Sequence, residues 1–386
     1  MGNVSMKNPF IYGGLVFGRH FADRQTELSE LTAEMRNGGK VFLISPRRMG
    51  KTCLLKNLQW KMEREGVFTA YVDLYRAPTL RHFTELYAKG VVEVVEGKIE
   101  KMVKAIPRLL PGLRPKLEPN PDGTISFSVE YVAREKDVFQ VLTEVLEYPE
   151  KAAVKKRKPF VIVLDEFSDV TKYNGADVER AIRAVVQTHQ RVGYVFSGSK
   201  RSVIRDMVKD KTRAFYRMGA TMELSPIPRD VFRPFMENWF GKGGYDLRDG
   251  VVDLIFEKGR DVPYNIQRIA HNIWEEARDS KKIEKDMVDK AIGTIIRQES
   301  MHYEALWDGT PQKQREVLIA LASDEPTSLF SREFLQKWRL GVSSLQSSIK
   351  ALETRGVLEK GGKGTCRFDD EFFRLWIVRM PDELMS

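Results

Sequence analysis

Cysteine is scarce: Cys53 and Cys366 stand alone and far apart in 386 residues, which excludes a disulfide framework and points to a reducing compartment. No apolar run approaches the roughly 18 residues that a membrane span needs, and the N-terminus has no signal-peptide apolar segment. A cytoplasmic protein with no membrane partner is expected. There is no repeat of fixed period and no low-complexity tract, and Met6 at the sixth position excludes a myristoylation start. No Asn-Lys-x-Asp or Thr-Lys-x-Asp element is present to read guanine. Acidic residues fall short of basic ones, 54 against 63, and the formal charge of +9 permits a polyanionic partner without demanding one.

What is present is organised around residues 41–52. Residues 41–44 read as a buried strand, and Ser45-Pro46-Arg47-Arg48-Met49-Gly50-Lys51-Thr52 fits the phosphate-binding pattern GxxxxGK[ST] with Ser45 at its first glycine. Helical spacing follows from Cys53 to Leu58. Backbone N–H groups converge at a helix N-terminus and the helix dipole adds positive potential there, so a polyphosphate is expected. Lys51 would reach its β- and γ-phosphates, and the Thr52 hydroxyl would take one position on Mg²⁺. Gly50 lets the backbone come close. Ser45 accepts a positive φ less readily than glycine, and Pro46 offers no amide.

Residues 68–75 read as a second strand. Residues 76–136 are long for a connection and read as an insertion, helical around 80–105, rich in Pro and Lys over 107–120, then a hairpin turning at Asp122-Gly123 before Ile125, Phe127 and Val129. The basic run 151–159 reads as a solvated helix end. Residues 160–164 form the most hydrophobic strand and end in Asp165-Glu166. At the C-terminal end of a buried parallel strand such a pair lies beside the phosphate loop, Asp165 to hold Mg²⁺ through water and Glu166 to orient or deprotonate the attacking water. A fourth strand, 191–199, ends in hydroxyls, with Ser197 or Ser199 placed for the γ-phosphate or the water. A basic helical stretch follows through Arg201, Arg205, Lys209, Lys211, Arg213 and Arg217, then a fifth strand at 220–224. Alternating strands and helices predict a covered parallel sheet.

Near the N-terminus, Asp23 is placed to cap a helix over 24–37, and read alone Phe21, Arg24 and Glu27 are packing plus a surface ion pair. From 229 to about 300 the spacing is helical throughout. Helices at 314–321, 332–338 and 342–355, then a hairpin around Gly361-Gly362-Lys363-Gly364, are the parts of a winged helix-turn-helix. In its third helix Leu345, Ile349 and Leu352 face inward, with Ser344, Gln346, Ser347, Ser348 and Lys350 outward.

Together, Asn8-Pro9-Phe10, Phe21-Ala22-Asp23-Arg24-Gln25-Thr26-Glu27-Leu28, the phosphate loop, Leu164-Asp165-Glu166, Phe196-Ser197-Gly198-Ser199, Tyr216-Arg217, Pro263-Tyr264 and the winged helix resemble the archaeal-type ATPase family. That family lies near the origin-recognition initiators and the STAND switch ATPases within the AAA+ class. The resemblance covers nearly the whole chain. It implies an α/β fold whose P-loop core has parallel strands in the order 5-1-4-3-2, with the core at 1–227, a helical lid at 228–303 and the winged helix at 304–386. It further implies ATP and Mg²⁺, with residues 16–27, Phe21 and Arg24 among them, over the adenine, and Ser45 through Cys53 around the phosphates. Ser197 or Ser199 would sense the γ-phosphate, and Pro263 would sit where the lid touches the nucleotide. Arg217, with Arg213 competing, would be an arginine finger given in trans within a homo-oligomer. The implied function is a slow, partner-regulated Mg-ATP-hydrolysing switch. The alternative is an ATP-regulated binder of double-stranded DNA, using the outward face of the third helix with Lys360, Lys363 and Arg367 on the wing.

Overall fold

The computed structural model describes residues 6–22, 24–132, 138–324, 326, 328–361 and 364–380. The expected cap Asp23 and the wing-tip Lys363 lie outside them. By contact the chain divides into two compact units, Leu15–Ser225 and, as the second, Met1–Gly14 with Pro226–Ser386.

The first unit begins with α1 (Gln25–Arg36), β1 (Lys40–Ile44), α2 (Lys51–Arg64) and β2 (Phe68–Asp73). An insertion follows, of α3 (Leu80–Glu96), α4 (Ile99–Leu109) and the ribbon β3 (Leu113–Pro119) and β4 (Ile125–Tyr131). Then come α5 (Val138–Lys156), β5 (Phe160–Asp165), α6 (Ala176–Val186), β6 (Val192–Gly198), α7 (Arg201–Lys209) and β7 (Ala220–Glu223). The five core strands are parallel in the order β2-β5-β6-β1-β7, which is the expected 5-1-4-3-2 read from the opposite edge.

Alternation along each strand sorts the side chains to two covered faces. Val41, Leu43, Val161, Val163 and Val195 pack on Leu28, Leu31 and Met35 of α1 and on Leu54, Leu55 and Leu58 of α2. Phe42, Ala70, Val72, Ile162, Leu164, Tyr194 and Phe196 face the other way, into a cluster with α5, α6 and the insertion, α3 included. Every residue of β5 is buried, the pattern of a strand covered on both sides. The Pro- and Lys-rich stretch contains β3, paired antiparallel with β4 from Leu113↔Tyr131 to Pro119↔Ile125, the two arms of the expected hairpin. Pro115 and Pro119 are tolerated because a two-stranded ribbon is all edge. The turn falls at Asp122-Gly123, where Asp122 accepts from the Thr124 amide at 2.9 Å.

The second unit contains α8 (Arg229–Lys242), β8 (Asp246–Leu247), α9 (Val251–Lys258), α10 (Pro263–Glu276), β9 (Lys282–Ile283) and the long α11 (Asp286–Asp308). It continues with α12 (Gln312–Asp324), α13 (Arg332–Lys337), α14 (Val342–Thr354), the wing β10 (Leu358–Lys360) and β11 (Cys366–Phe368), and α15 (Glu371–Val378). The short parallel pair β8/β9 interrupts what the spacing reads as purely helical. The opening residues, expected with the ATPase core, pack here: Phe10 lies 4.6 Å from the Phe240 ring and 6.0 Å from Trp274, and Asn8 bonds the His271 carbonyl and Glu275. The expected boundary at 303/304 falls inside α11, where Tyr303 packs on Phe373 and Trp307 on Trp376 of α15. Ser348 corrects the expected outward set, since it is buried on the stripe of Leu345, Ile349 and Leu352, three residues after Leu345.

Candidate functional site

The C-terminal ends of β1, β5 and β6 lie side by side, and the chemistry-bearing side chains gather there. The phosphate loop leaves β1 at Ile44 and enters α2 at Lys51. Ser45 needs no left-handed backbone: the positive φ values fall on Arg48 (63°) and Gly50 (83°), so the departure from glycine costs nothing at that position. The buried Ser45 donates its hydroxyl to the Pro46 carbonyl at 2.8 Å, and its amide meets the Gly198 carbonyl at 3.4 Å. Gly50 is the N-cap of α2 and brings no capping side chain to the amides of the first turn.

Lys51 is nearly buried, and its Nζ donates at 2.6 Å to both Asp165 Oδ1 and Glu166 Oε1. Ser197 Oγ donates to the same Asp165 oxygen at 2.6 Å, and Tyr71 donates its phenol proton to the other. Burial alone would push the Asp165 carboxyl up. The Lys51 charge and hydrogen bond, with the Ser197 and Tyr71 hydroxyls, outweigh it and hold this carboxyl below the usual carboxylate range. Glu166 sits in the left-handed region at φ 50°, a conformation that a packed surround must hold in place. Its Oε2 accepts from the Ser199 amide at 3.2 Å and hydroxyl at 2.9 Å. Ser197 thus serves Asp165 and Ser199 serves Glu166, a division that the sequence leaves open.

Arg24 is 2% exposed, so the reading of a surface pair with Glu27 does not hold. Its guanidinium bonds Glu27 at 2.6 Å and the carbonyls of Met49 and Ser225 at 2.9 Å each, bracing the phosphate loop against the chain beyond β7. Phe21 is buried with Leu28 and Leu54. Asn57, missed in the sequence, fastens residues 16–18 onto α2: its amide donates at 2.8 Å to the Val16 and Cys53 carbonyls, and its oxygen lies 3.5 Å from the Gly18 amide. Burial pushes the Cys53 thiol up. Met49 is buried, Pro46 and Arg48 are half-buried, and Arg47 and Thr52 are exposed.

The two finger candidates differ in kind. Arg213 forms a two-pronged pair with Glu179 of α6, whose carboxylate is 1% exposed. Arg217 is exposed, held at φ 52° with its guanidinium 5.3 Å from the Tyr216 ring. Pro263 is buried as the first residue of α10, in the second unit.

Whether a nucleotide and metal suit these residues can be tested on the donors. The buried Arg24 Nε has no hydrogen-bond partner among the described residues and lies 3.9 Å from where a Cβ on Gly50 would be, so a donor remains for an oxygen at the loop. A hydroxyl and an ionised carboxylate are hard oxygen ligands suited to Mg²⁺. Among the described residues no group of three or more His, Cys, Asp or Glu is placed to hold a metal ion.

Residues 21–257 match the family described as an ATPase domain predominantly from Archaea, and residues 301–379 match a winged helix domain. The chain is similar to a Walker-type ATPase of Pyrococcus abyssi, with TM-score 0.63 and 14% identity over 96% of this chain and 99% of that one. It is also similar to the ORC2 protein of Aeropyrum pernix, with TM-score 0.49 and 13% identity over 96% and 97% of the two chains. Replication factor C small subunit 1 of Pyrobaculum arsenaticum is 24% identical over 190 residues, 48% of this chain. The match spans about half, 53%, of that curated relative's length. Among the described residues no helix is long and apolar enough to cross a membrane.

Proposed function

We propose, from the premise that this chain belongs to the ATPase domain family found predominantly in Archaea, that it binds Mg-ATP at the phosphate loop and hydrolyses it. The observation that carries this reading is the convergence on Lys51: its ammonium joins Asp165 and Glu166, and Ser197 and Ser199 close behind them. With a triphosphate in place, the amides at the start of α2 and the Lys51 ammonium bind the β- and γ-phosphates. Thr52 and Asp165 would hold Mg²⁺, which when bound neutralises charge developing on the phosphate oxygens. Glu166, oriented by Ser199, takes the proton of a water that attacks the γ-phosphorus as the bond to the β,γ-bridging oxygen breaks. Arg217 is the finger we assign, since Arg213 is committed to Glu179, and given by a neighbouring copy it would neutralise that oxygen. Residues 16–21 and Arg24 complete the proposed nucleotide contacts, and nucleotide occupancy biases a conformational switch.

The test is equilibrium binding of fluorescent mant-ATP together with steady-state turnover. Lys51→Ala is expected to weaken binding by about 10- to 100-fold, the worth of charge-assisted bonds. Glu166→Gln is expected to keep its nucleotide and lose roughly 10²- to 10⁴-fold in turnover. Parental affinity in the first variant and parental turnover in the second would remove the proposal.

A further inference from the structure

Within β2, Thr69, Tyr71 and Asp73 alternate onto one face of the strand. Tyr71 is in register with Val163, so Asp165, two residues along the same face of β5, comes within reach of its phenol. The two oxygens of Asp165 are used unequally. Oδ1 accepts from Lys51, from Ser197 and from the Glu166 amide at 2.9 Å, whereas Oδ2 has Tyr71 as its partner. The ring is itself fixed: Lys56 of α2 places its Nζ 3.6 Å from the ring centroid while bonding Gln59 at 3.0 Å. Asp73, in register with Asp165, turns its carboxylate to the Tyr75 amide at 3.1 Å.

We infer that Tyr71 is a positioning residue for the metal, fixing the plane of the Asp165 carboxylate so that one oxygen stays tied and the other faces the phosphate loop. This rests on the reading of the site as one for Mg-nucleotide. When Lys51 engages a phosphate it gives up a bond to Oδ1, and the Tyr71 bond then keeps the other oxygen in place. Losing an outer partner of this kind typically weakens metal binding by about 10- to 100-fold.

The experiment titrates Mg²⁺ against mant-ATP fluorescence for the full chain and Tyr71→Phe, repeats nucleotide binding in EDTA, and follows Mn²⁺ by electron paramagnetic resonance with ADP present. The expected result is a rise of about tenfold in the half-saturating Mg²⁺ and a matching loss of bound Mn²⁺, with affinity in EDTA unchanged. Lys56→Met, which leaves the partners of Asp165 in place but frees the ring, should move the Mg²⁺ midpoint in the same direction by less. An unchanged Mg²⁺ midpoint in a folded Tyr71→Phe overturns the inference, as does an equal loss of affinity with and without metal, which would mark a merely structural role. If the parent chain itself binds no nucleotide with Mg²⁺, the underlying reading fails instead.

Discussion

His189 lies in the turn before β6, 5% exposed, with Nδ1 2.9 Å from the Tyr194 hydroxyl, which in turn lies 3.4 Å from that of Tyr87. Burial, against the pull of Glu150, holds its pKa down at about 4. The folded state therefore keeps this imidazole neutral where the unfolded chain, with a value near 6.5, takes up a proton. Its contribution is complete above about pH 6.5 and is withdrawn as the pH falls toward 4, by roughly 3 kcal/mol in all. Urea unfolding followed between pH 7 and pH 4.5 should show the loss, and His189→Gln should flatten it. An equally steep decline in the variant would assign the effect to other groups.

At the scale of elements, α6 fastens the segment that carries Arg217. Glu179 grips Arg213, Arg183 donates to the carbonyls of Ala214 and Tyr216, and Phe215 is buried among Phe42, Phe167 and Phe196. Arg213→Ala would leave a buried carboxylate without its cation and should destabilise the α/β unit by about 3–5 kcal/mol. Arg217→Ala should change stability by less than about 0.5 kcal/mol, as exposed positions do, while lowering turnover. Thermal melts set beside ATPase rates separate the two, and equal melting losses would sink the distinction. This contrast was not legible in the sequence, where both arginines are cations in one basic stretch; only folding brings Glu179 to Arg213 across the intervening β6. The strands were legible because a sheet covered on both faces writes unbroken apolar runs such as 160–164, and the phosphate loop because its spacing is local. Tyr71 and Asn57 escaped because their partners, Asp165 and Val16, are distant in sequence, though the polar alternation at 69, 71 and 73 in an otherwise apolar strand was a signal. The hairpin at 122–123 was legible from its turn, but the extent of its first arm, 113–119, was not, because two prolines obscure a pairing that a ribbon tolerates.

For the whole molecule, a finger given in trans makes turnover depend on assembly, so specific ATPase activity should rise with protein concentration and level off once copies are paired. A rate per molecule that is flat across the dissociation range would place the finger elsewhere. Duplex DNA remains the second partner to test, on the full chain: α14 offers Ser344, Gln346, Ser347 and Lys350, while Arg367 on the wing pairs with Glu359 at 3.3 Å. With so few cations the salt dependence should be shallow, about one to three phosphates' worth, and a steep slope would put the contact on another surface. The helix from Asp286 to Asp308 is the feature that bears on any such contact, because it runs through the place where lid and wing were expected to part, and Tyr303 and Trp307 press on the closing helix. The segment expected as a lid and the winged helix therefore share a spine. A fragment cut at residue 304 would keep only the last turn of this helix and would part Tyr303 from Trp307, so the face on which the closing helix rests would be split between two pieces.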